Sequence, residues 1–351
     1  MRIVFLISGR KVPSSRFRIL QYLPFLKNSG HECLVLPSRP PKYRGWPWLG
    51  NRLSEVPRMV FRLVDLLRVS GYRPDVVVIE RELFSSGFCR MEHWLSRRRW
   101  CLVLDVDDAL FALHPRKFPG LVQACDLVLA GNGLLRDRIA ALHPVVEILP
   151  TSLDVERFTL RRNVSPSTAA PVTIGWTGTA GNYPQLVPLL DVFRRLATRY
   201  DFRLHLIAER PPEELNLTGL RTEFTRWTEG REIEDLQRFD LGVMPLEDTE
   251  WNRFKCGLKI LQYMATGAAV VASPVGANAE IIQHGRNGFL AGDLAEWEQC
   301  LSRLLESPEQ RAALVRAGRE TVEQHYSIQR QAPRLMTFLA EGVQRARLRG
   351  N

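Results

Sequence analysis

The chain has 351 residues, 45% hydrophobic and 25% charged, the make-up of a globular protein too long for one ordinary core, so two domains of about 150 to 180 residues are expected. No apolar run approaches the roughly 20 residues of a membrane span, and the opening run is too short for a signal-peptide core, so the chain is expected to be cytoplasmic. Six scattered cysteines without a CxxC pair argue against a zinc site or a disulfide framework. The net charge of +10 lies in the first half: residues 1–165 carry 26 Lys and Arg against 15 Asp and Glu, a balance of +11, and the remainder 22 against 23. With no recognisable reading module, that basicity points away from nucleic acid and toward an anionic membrane surface or glycan.

From the amino end, short apolar runs alternate with helical periodicity, the signature of a parallel α/β architecture. RIVFLIS (Arg2 to Ser8) reads as a buried strand, and SSRFRILQYLPFLKNSG as a loop, a helix and a glycine stop. In that loop Arg16 is placed to clamp a phosphate through two N–H groups; an ordinary surface arginine is the alternative. PPKYRGWPWLGNRL mixes Tyr43, Trp46 and Trp48 with Lys42, Arg44 and Arg52, and the following RMVFRLVDLLRVS is amphipathic with Arg58, Arg62 and Arg68. Trp46, Trp48, Arg44 and Arg52 are therefore candidate contacts to a headgroup boundary, with salt-sensitive attachment expected. Tryptophans folded back on their own core are the competing reading. HECLVLP, DVVVIE, WCLVLDV, LVLAG and VEILP supply further strands, and the run from Asp105 to Asp108 spells a DxD pattern that could hold a divalent ion.

Residues 150–171 are poor in periodicity and rich in Ser, Thr and Pro, which sets expected domains at 1–165 and 166–327. The remaining residues, 328–351, read as a helix interrupted at Pro333 that could cross back to the first domain. The strand pattern restarts with VTIGWTG, RLHLIAE, LGVMPL and AVVASP, giving two doubly wound domains expected to face each other across a cleft, with ligands beyond the carboxyl ends of the strands. In VTIGWTGTAGNYPQL, Asn182 and Pro184 suggest a helix start, and Gly178, Thr179 and Gly181 can bring backbone donors close to a phosphate. Lys255, Lys259 and Gln262 are spaced by four and three positions, which predicts one polar stripe on a helix beside an anion site. A solvated lysine face is the plainer alternative.

The stretch KCGLKILQYMATGAAVVASPVGANAEIIQHGRNGFLA, with EWEQCLSRLLESPEQRAALVRAGRETVEQHYS, resembles the carboxy-terminal half of the retaining nucleotide-sugar glycosyltransferases of glycosyltransferase family 4, which have the GT-B fold. The likeness extends more loosely through IGWTGTAGNYPQL, DVVVIERE, VLDVDDALF and LPTSLDVERF. It implies two Rossmann-like domains, an amino-terminal one for the acceptor and a carboxy-terminal one for the nucleotide sugar. Two glutamates eight positions apart are usual in such proteins, one for the sugar and one for the ribose; Phe254 and Gln262 stand in their places, leaving Glu247, Asp248 or Glu250 for the sugar contact. Gly276, Asn278 and Glu280 match the donor-side loop.

The resemblance implies transfer of a sugar from a nucleoside diphosphate with retention, to a glycan or lipid-linked acceptor. Lys259 is then the principal phosphate contact, aided by Lys255, Arg16 and the backbone of Gly178 and Thr179. Asp107 or Asp108 would orient the acceptor hydroxyl, unless they merely cap the next helix. With lysines supplying the positive charge, neither a metal nor another cofactor is expected. Two other readings share the donor site: a GT-B sugar-nucleotide epimerase, and a catalytically silent scaffold of the same fold.

Overall fold

The structure is a computed structural model that describes residues 1–42, 46, 50–84, 89–161 and 171–349, the side chains of residues 51, 52 and 349 excepted. The chain divides into two compact units. The first comprises Met1–Ser152, Phe254–Cys256 and Ile328–Asn351, and the second Leu153–Arg253 and Gly257–Ser327. The expected boundary at 165 and 166 falls in 162–170, outside the described residues.

The first unit is built on a six-stranded parallel sheet of β1 (Arg2–Ile7), β2 (Glu32–Pro37), β3 (Val76–Glu80), β4 (Cys101–Val106), β5 (Leu127–Ala130) and β6 (Val146–Ile148), in the order β2-β1-β3-β4-β5-β6. Ile3, Phe5, Ile7, Val76, Val78, Cys101, Val103, Leu127 and Leu129, spaced by two along their strands, all join one core cluster on one face. The helix Ile328–Arg349 covers that face with Ile328, Ala332, Leu335, Leu339 and Val343, a stripe at helical spacing. Pro333 does not interrupt this helix. It removes one backbone donor, a change of about 3 kcal/mol in an isolated helix, and the buried stripe on either side of it offsets that cost.

Helix α1 (Glu55–Tyr72) corrects the sequence reading of its arginines. Arg58 and Arg62 point into the protein, each 2% exposed. Arg62 donates to Leu36 O at 2.8 Å and Ile7 O at 2.6 Å, and Arg58 to Pro40 O at 3.3 Å and Pro41 O at 3.1 Å. They satisfy carbonyls at and just beyond the carboxyl ends of β1 and β2, which a headgroup would have to compete for. Burial pulls the Arg62 pKa down to about 10, opposed by Asp65 and Glu80.

The second unit carries β7 (Val172–Thr177), β8 (Phe202–Ala208), β9 (Thr222–Arg226), β10 (Leu241–Met244), β11 (Ala269–Ala272) and β12 (Phe289–Leu290), all parallel, in the order β12-β11-β10-β7-β8-β9. The chain moves outward from β7 through β9 and restarts on the other side of β7 with β10, so the sheet has its switch point between β7 and β10. β9 and β12 do not stand out in the sequence. TEFTR is a half-exposed edge strand without an apolar run, and the β12 pairing is only two residues long. Among the described residues, no helix is long and apolar enough to cross a membrane.

Candidate functional site

In the second unit, the side chains gather at the carboxyl ends of β7 and β10. Helix α2 (Leu258–Thr266) starts after Gly257, whose φ of +65° reverses the backbone. A Cβ there would come within 2.4 Å of Ile281 Cδ1, which would have to turn aside, and the left-handed backbone itself favours glycine. The reversal places Lys255 outside the helix. The predicted stripe of Lys255, Lys259 and Gln262 is therefore corrected to Lys259 and Gln262 alone, and Lys255 is carried by the first unit.

Lys259 Nζ lies 4.5 Å from the centroid of the Trp176 ring, a cation–π arrangement on a fully buried indole. Gly178 makes room for it: a Cβ at that position would meet Lys259 Nζ at 2.6 Å and the indole at 2.7 Å. The Tyr263 hydroxyl accepts from the Thr177 N–H at 2.9 Å, tying α2 to the end of β7. These contacts fix the height and direction of the lysine over the strand ends.

The backbone donors expected after β7 are differently used. The Gly178 N–H donates to Ile207 O at 3.1 Å, so this residue contributes space to the site. The next helical segment opens at Ala180 with Thr179 before it; Asn182, read as its cap, lies inside it and donates to Thr179 Oγ1 at 2.6 Å, and Pro184 is also interior. The Ala180 N–H reaches both Glu209 oxygens at 3.0 Å, so a carboxylate of the protein occupies that helix end. Exposed Thr179 remains at the mouth of this turn.

Gln262 is buried and donates to Glu232 Oε1 at 3.3 Å, the oxygen that also accepts from Trp227 Nε1 at 3.3 Å. Gly276 has φ +56°, and a Cβ on it would lie 2.1 Å from Arg253 O, so the loop after β11 closes only with glycine. Asn278 is buried and donates to Ser273 O at 3.0 Å, holding that loop, whereas Glu280 is exposed. Of the suggested substitutes for the missing glutamate, Asp248 is paired with Arg253 at 2.5 Å, and Glu247 and Glu250 are exposed.

In the first unit, the carboxyl ends of β1, β3 and β4 form an ionic lattice. Glu80 accepts from Ser14 Oγ and Ser15 Oγ at 2.5 Å each and from the Ser8 N–H at 2.9 Å, pinning the loop after β1. Arg16, expected in a loop, lies in the short helical segment Ser15–Ile19 and is buried with its guanidinium 4.9 Å from the Phe17 ring centroid. Arg18 grips Asp105 with Nη2 at 2.5 Å and Nε at 2.8 Å, and donates to Leu149 O at 2.8 Å. Burial opposes the charge on Arg18, and Asp105 more than offsets it, so the guanidinium pKa lies above its ordinary value.

Arg81 follows β3 in the left-handed region at φ +61° and forks onto Asp107 at 2.5 and 2.9 Å, with Asp108 at 3.4 Å. Burial works against an ionised Asp107, but Arg81 draws its pKa below the usual carboxylate range. Burial pushes Asp108 up to about 6, against the pull of Arg81 and with the like charge of Asp107 adding to the rise. Burial likewise lowers the Lys255 pKa, opposed by Asp108. The DxD run is thus engaged by Arg18 and Arg81.

Phe254–Cys256 is held in this unit by Asn132, which caps the helix Gly133–Ala140 through Oδ1 on the Leu135 N–H at 2.8 Å and donates from Nδ2 to Phe254 O at 3.1 Å and Lys255 O at 3.3 Å. The Cys256 thiol donates to Asp107 O at 3.2 Å, and the Phe254 ring meets Phe111 edge-on at 4.7 Å. Sequence reasoning placed Arg18 near the gap after the first strand without its partner Asp105, and missed Arg81, Glu209 and Trp176. The one legible signal was their position at or just after strand ends.

Of the suggested membrane contacts, Trp46 is half-buried with its ring 6.4 Å from that of Phe61. Arg44, Trp48 and the side chain of Arg52 lie outside the described residues.

Residues 171–307 match the family model described as glycosyl transferases group 1. The chain is 33% identical over 132 residues to the sulfoquinovosyl transferase SQD2 of Arabidopsis thaliana, a match taking in 35% of this chain and 25% of that protein, so the chain spans about a quarter of the length of the curated relative it matches. Sucrose-phosphate synthase from Thermosynechococcus elongatus superposes with a TM-score of 0.72 at 14% identity, covering 97% of this chain and 99% of that one. HepE of Anabaena, solved in complex with UDP, gives 0.67 at 15% identity, covering 97% and 100%. The chain has the GT-B glycosyltransferase fold.

Proposed function

We propose that this chain is a retaining glycosyltransferase that moves a sugar from a nucleoside-diphosphate sugar to a glycan or lipid-linked acceptor, in the building of cell-surface polysaccharide or glycoconjugate. The observation that carries the reading is Lys259 set on Trp176 at the switch point of the second sheet, inside the stretch that matches glycosyl transferases group 1. A neighbour of the same fold solved with UDP and with UDP-glucose supports a nucleotide-sugar donor.

As the bond from the anomeric carbon to the diphosphate breaks, negative charge collects on the leaving oxygen. A lysine already fixed in place gains more from that charge than from the intact donor, which is what lowers a barrier. Gln262, the Gly276 loop and Glu280 are assigned to the donor's nucleoside and sugar, and Thr179 to its phosphates. Asn278 serves by holding that loop, and Gly178 by admitting Lys259. Arg16 and Lys255 are kept as anion contacts of the first unit. Asp108 is assigned to the acceptor hydroxyl, since a carboxylate with its pKa raised to about 6 is a better proton acceptor than an ordinary one.

No divalent metal is assigned, because Asp105 and Asp107 are committed to Arg18 and Arg81 and Lys259 brings the charge. Loss of activity on chelation with recovery on adding manganese would overturn that part. The protein is placed in the cytoplasm, at the inner face of an anionic membrane, on the strength of the +11 balance of residues 1–165.

Thermal melts against a panel of nucleotide sugars identify the donor, because a ligand bound only by the native state raises the melting point. Release of nucleoside diphosphate together with an NMR-defined α or β product then tests transfer and retention. An isomerised donor without diphosphate release would make the protein an epimerase. Absence of donor binding by calorimetry would make it a silent scaffold.

A further inference from the structure

Helix α1 is amphipathic the wrong way round for a helix resting on its own domain. Its inner positions are Arg58, Arg62, Asp65, Leu66 and Val69, all buried, with Arg39 paired to Asp65 at 3.0 Å. Its outer positions are Val56, Met59, Val60, Leu63, Val64 and Leu67, at spacings of three, one, three, one and three, exposed by 41 to 71%. Leu53, just before the helix, extends the same patch at 63% exposure. The buried arginines bond to main-chain carbonyls and lock the rotation of the helix, so the apolar face cannot roll inward.

We propose that this face inserts into the headgroup boundary of an anionic bilayer, with α1 lying in the membrane plane. The inference rests on the membrane reading above and replaces its arginine-led attachment by an apolar one. The occupant follows from size and charge. The stripe runs for roughly 20 Å along one helix, the shape of an interfacial helix. Seven side chains fall well short of the roughly 20 to 30 residues a side of a standard protein interface, so a second copy is a poor fit. Arg39 and Arg68, both half-exposed and paired with Asp65 at 3.0 and 3.6 Å, belong to a half of the chain with a balance of +11, which suits anionic headgroups around an apolar insertion.

The test is co-sedimentation of the full chain with phosphatidylcholine vesicles, with and without phosphatidylserine, at low and high salt, beside the double variant Leu63→Glu/Leu67→Glu. Both positions are on the surface, and an unchanged circular dichroism spectrum with a cooperative thermal melt establishes that the variant is folded. The wild type is expected to bind the anionic vesicles, to keep part of that binding at high salt, and to lose about tenfold or more of it in the double variant. Binding that survives the double substitution but vanishes in salt overturns the insertion while leaving the membrane reading in place. No binding of the wild type to either vesicle removes the membrane reading and this inference with it, without touching the transfer assay. A wild-type dimer in sedimentation velocity that the double variant breaks, with no vesicle bound, gives the face to a second copy instead.

Discussion

At the strand ends of the first unit, charged side chains hold one another: Arg18 with Asp105, Arg81 with Asp107, and Lys42 and Lys117 with Glu82 at 2.9 and 3.1 Å. At the strand ends of the second, where the pairs Arg210–Glu214 and Arg253–Asp248 are exposed, Lys259 stands on an aromatic ring, with a glycine to admit it and a carboxylate capping the neighbouring helix end. Both sheets have six parallel strands, so the sheet does not dictate which arrangement results. The contrast teaches that counting basic residues misjudges where positive charge is on offer. The first half of the chain carries the whole of the excess, yet several of its basic side chains are held in buried pairs.

The largest effect expected from breaking this contrast is in the first unit. Arg18→Met leaves Asp105 buried without its partner, and a loss of about 3–5 kcal/mol in urea unfolding is expected. Replacing both residues, Arg18→Met with Asp105→Leu, should recover most of it. Equal stability of the single variant and the wild type would show that the pair contributes nothing. In the second unit the effect should fall on rate: Lys259→Ala is expected to lower turnover by about 100-fold or more with a nearly unchanged melting temperature. Near-wild-type turnover would remove this residue from the diphosphate site.

Smaller again is Gly178→Ala, whose methyl group collides with the Lys259 ammonium and the indole. Displacing the lysine by a fraction of an ångström should cost about tenfold in turnover, with Lys259 itself intact. An active variant with the lysine still on the ring in a crystal structure would show that the glycine is not needed for space.

The smallest effect concerns pH. Asp108 has its pKa raised from 3.8 to about 6 by burial, so the folded state binds more protons than the unfolded one between those values. Stability from this group is therefore present at low pH, falls as pH rises from about 4 to 6, and stays reduced above. Asp108→Asn should flatten that part of the stability profile and slightly raise the melting temperature at pH 7. A profile from pH 4 to 7 identical to the wild type would place the titration elsewhere.

The sequence determined the inner strands of both sheets. Runs such as VVVI and CLVL, up to the carboxylates Glu80 and Asp105 near their ends, are apolar at every position because both faces of an inner parallel strand are buried, and a local pattern suffices to show it. It also marked Lys259 with Gln262 by their helical spacing and the loop around Gly276 by resemblance, although Lys259 stands on Trp176 and Gly276 packs on Arg253, both distant in sequence. Tertiary structure decided the rest. The 3.6-residue period of α1 reveals two faces, but only the strand-end carbonyls of Ile7 and Leu36 decide that the arginine face goes inside. Lys255 and Lys259 are four positions apart, a helical spacing, yet the left-handed Gly257 assigns them to different units. Arg18 and Asp105 are 87 positions apart, and no local pattern signals their pairing; folding the sheet is what brings β4 beside the loop after β1 and makes each the partner that the other's burial demands.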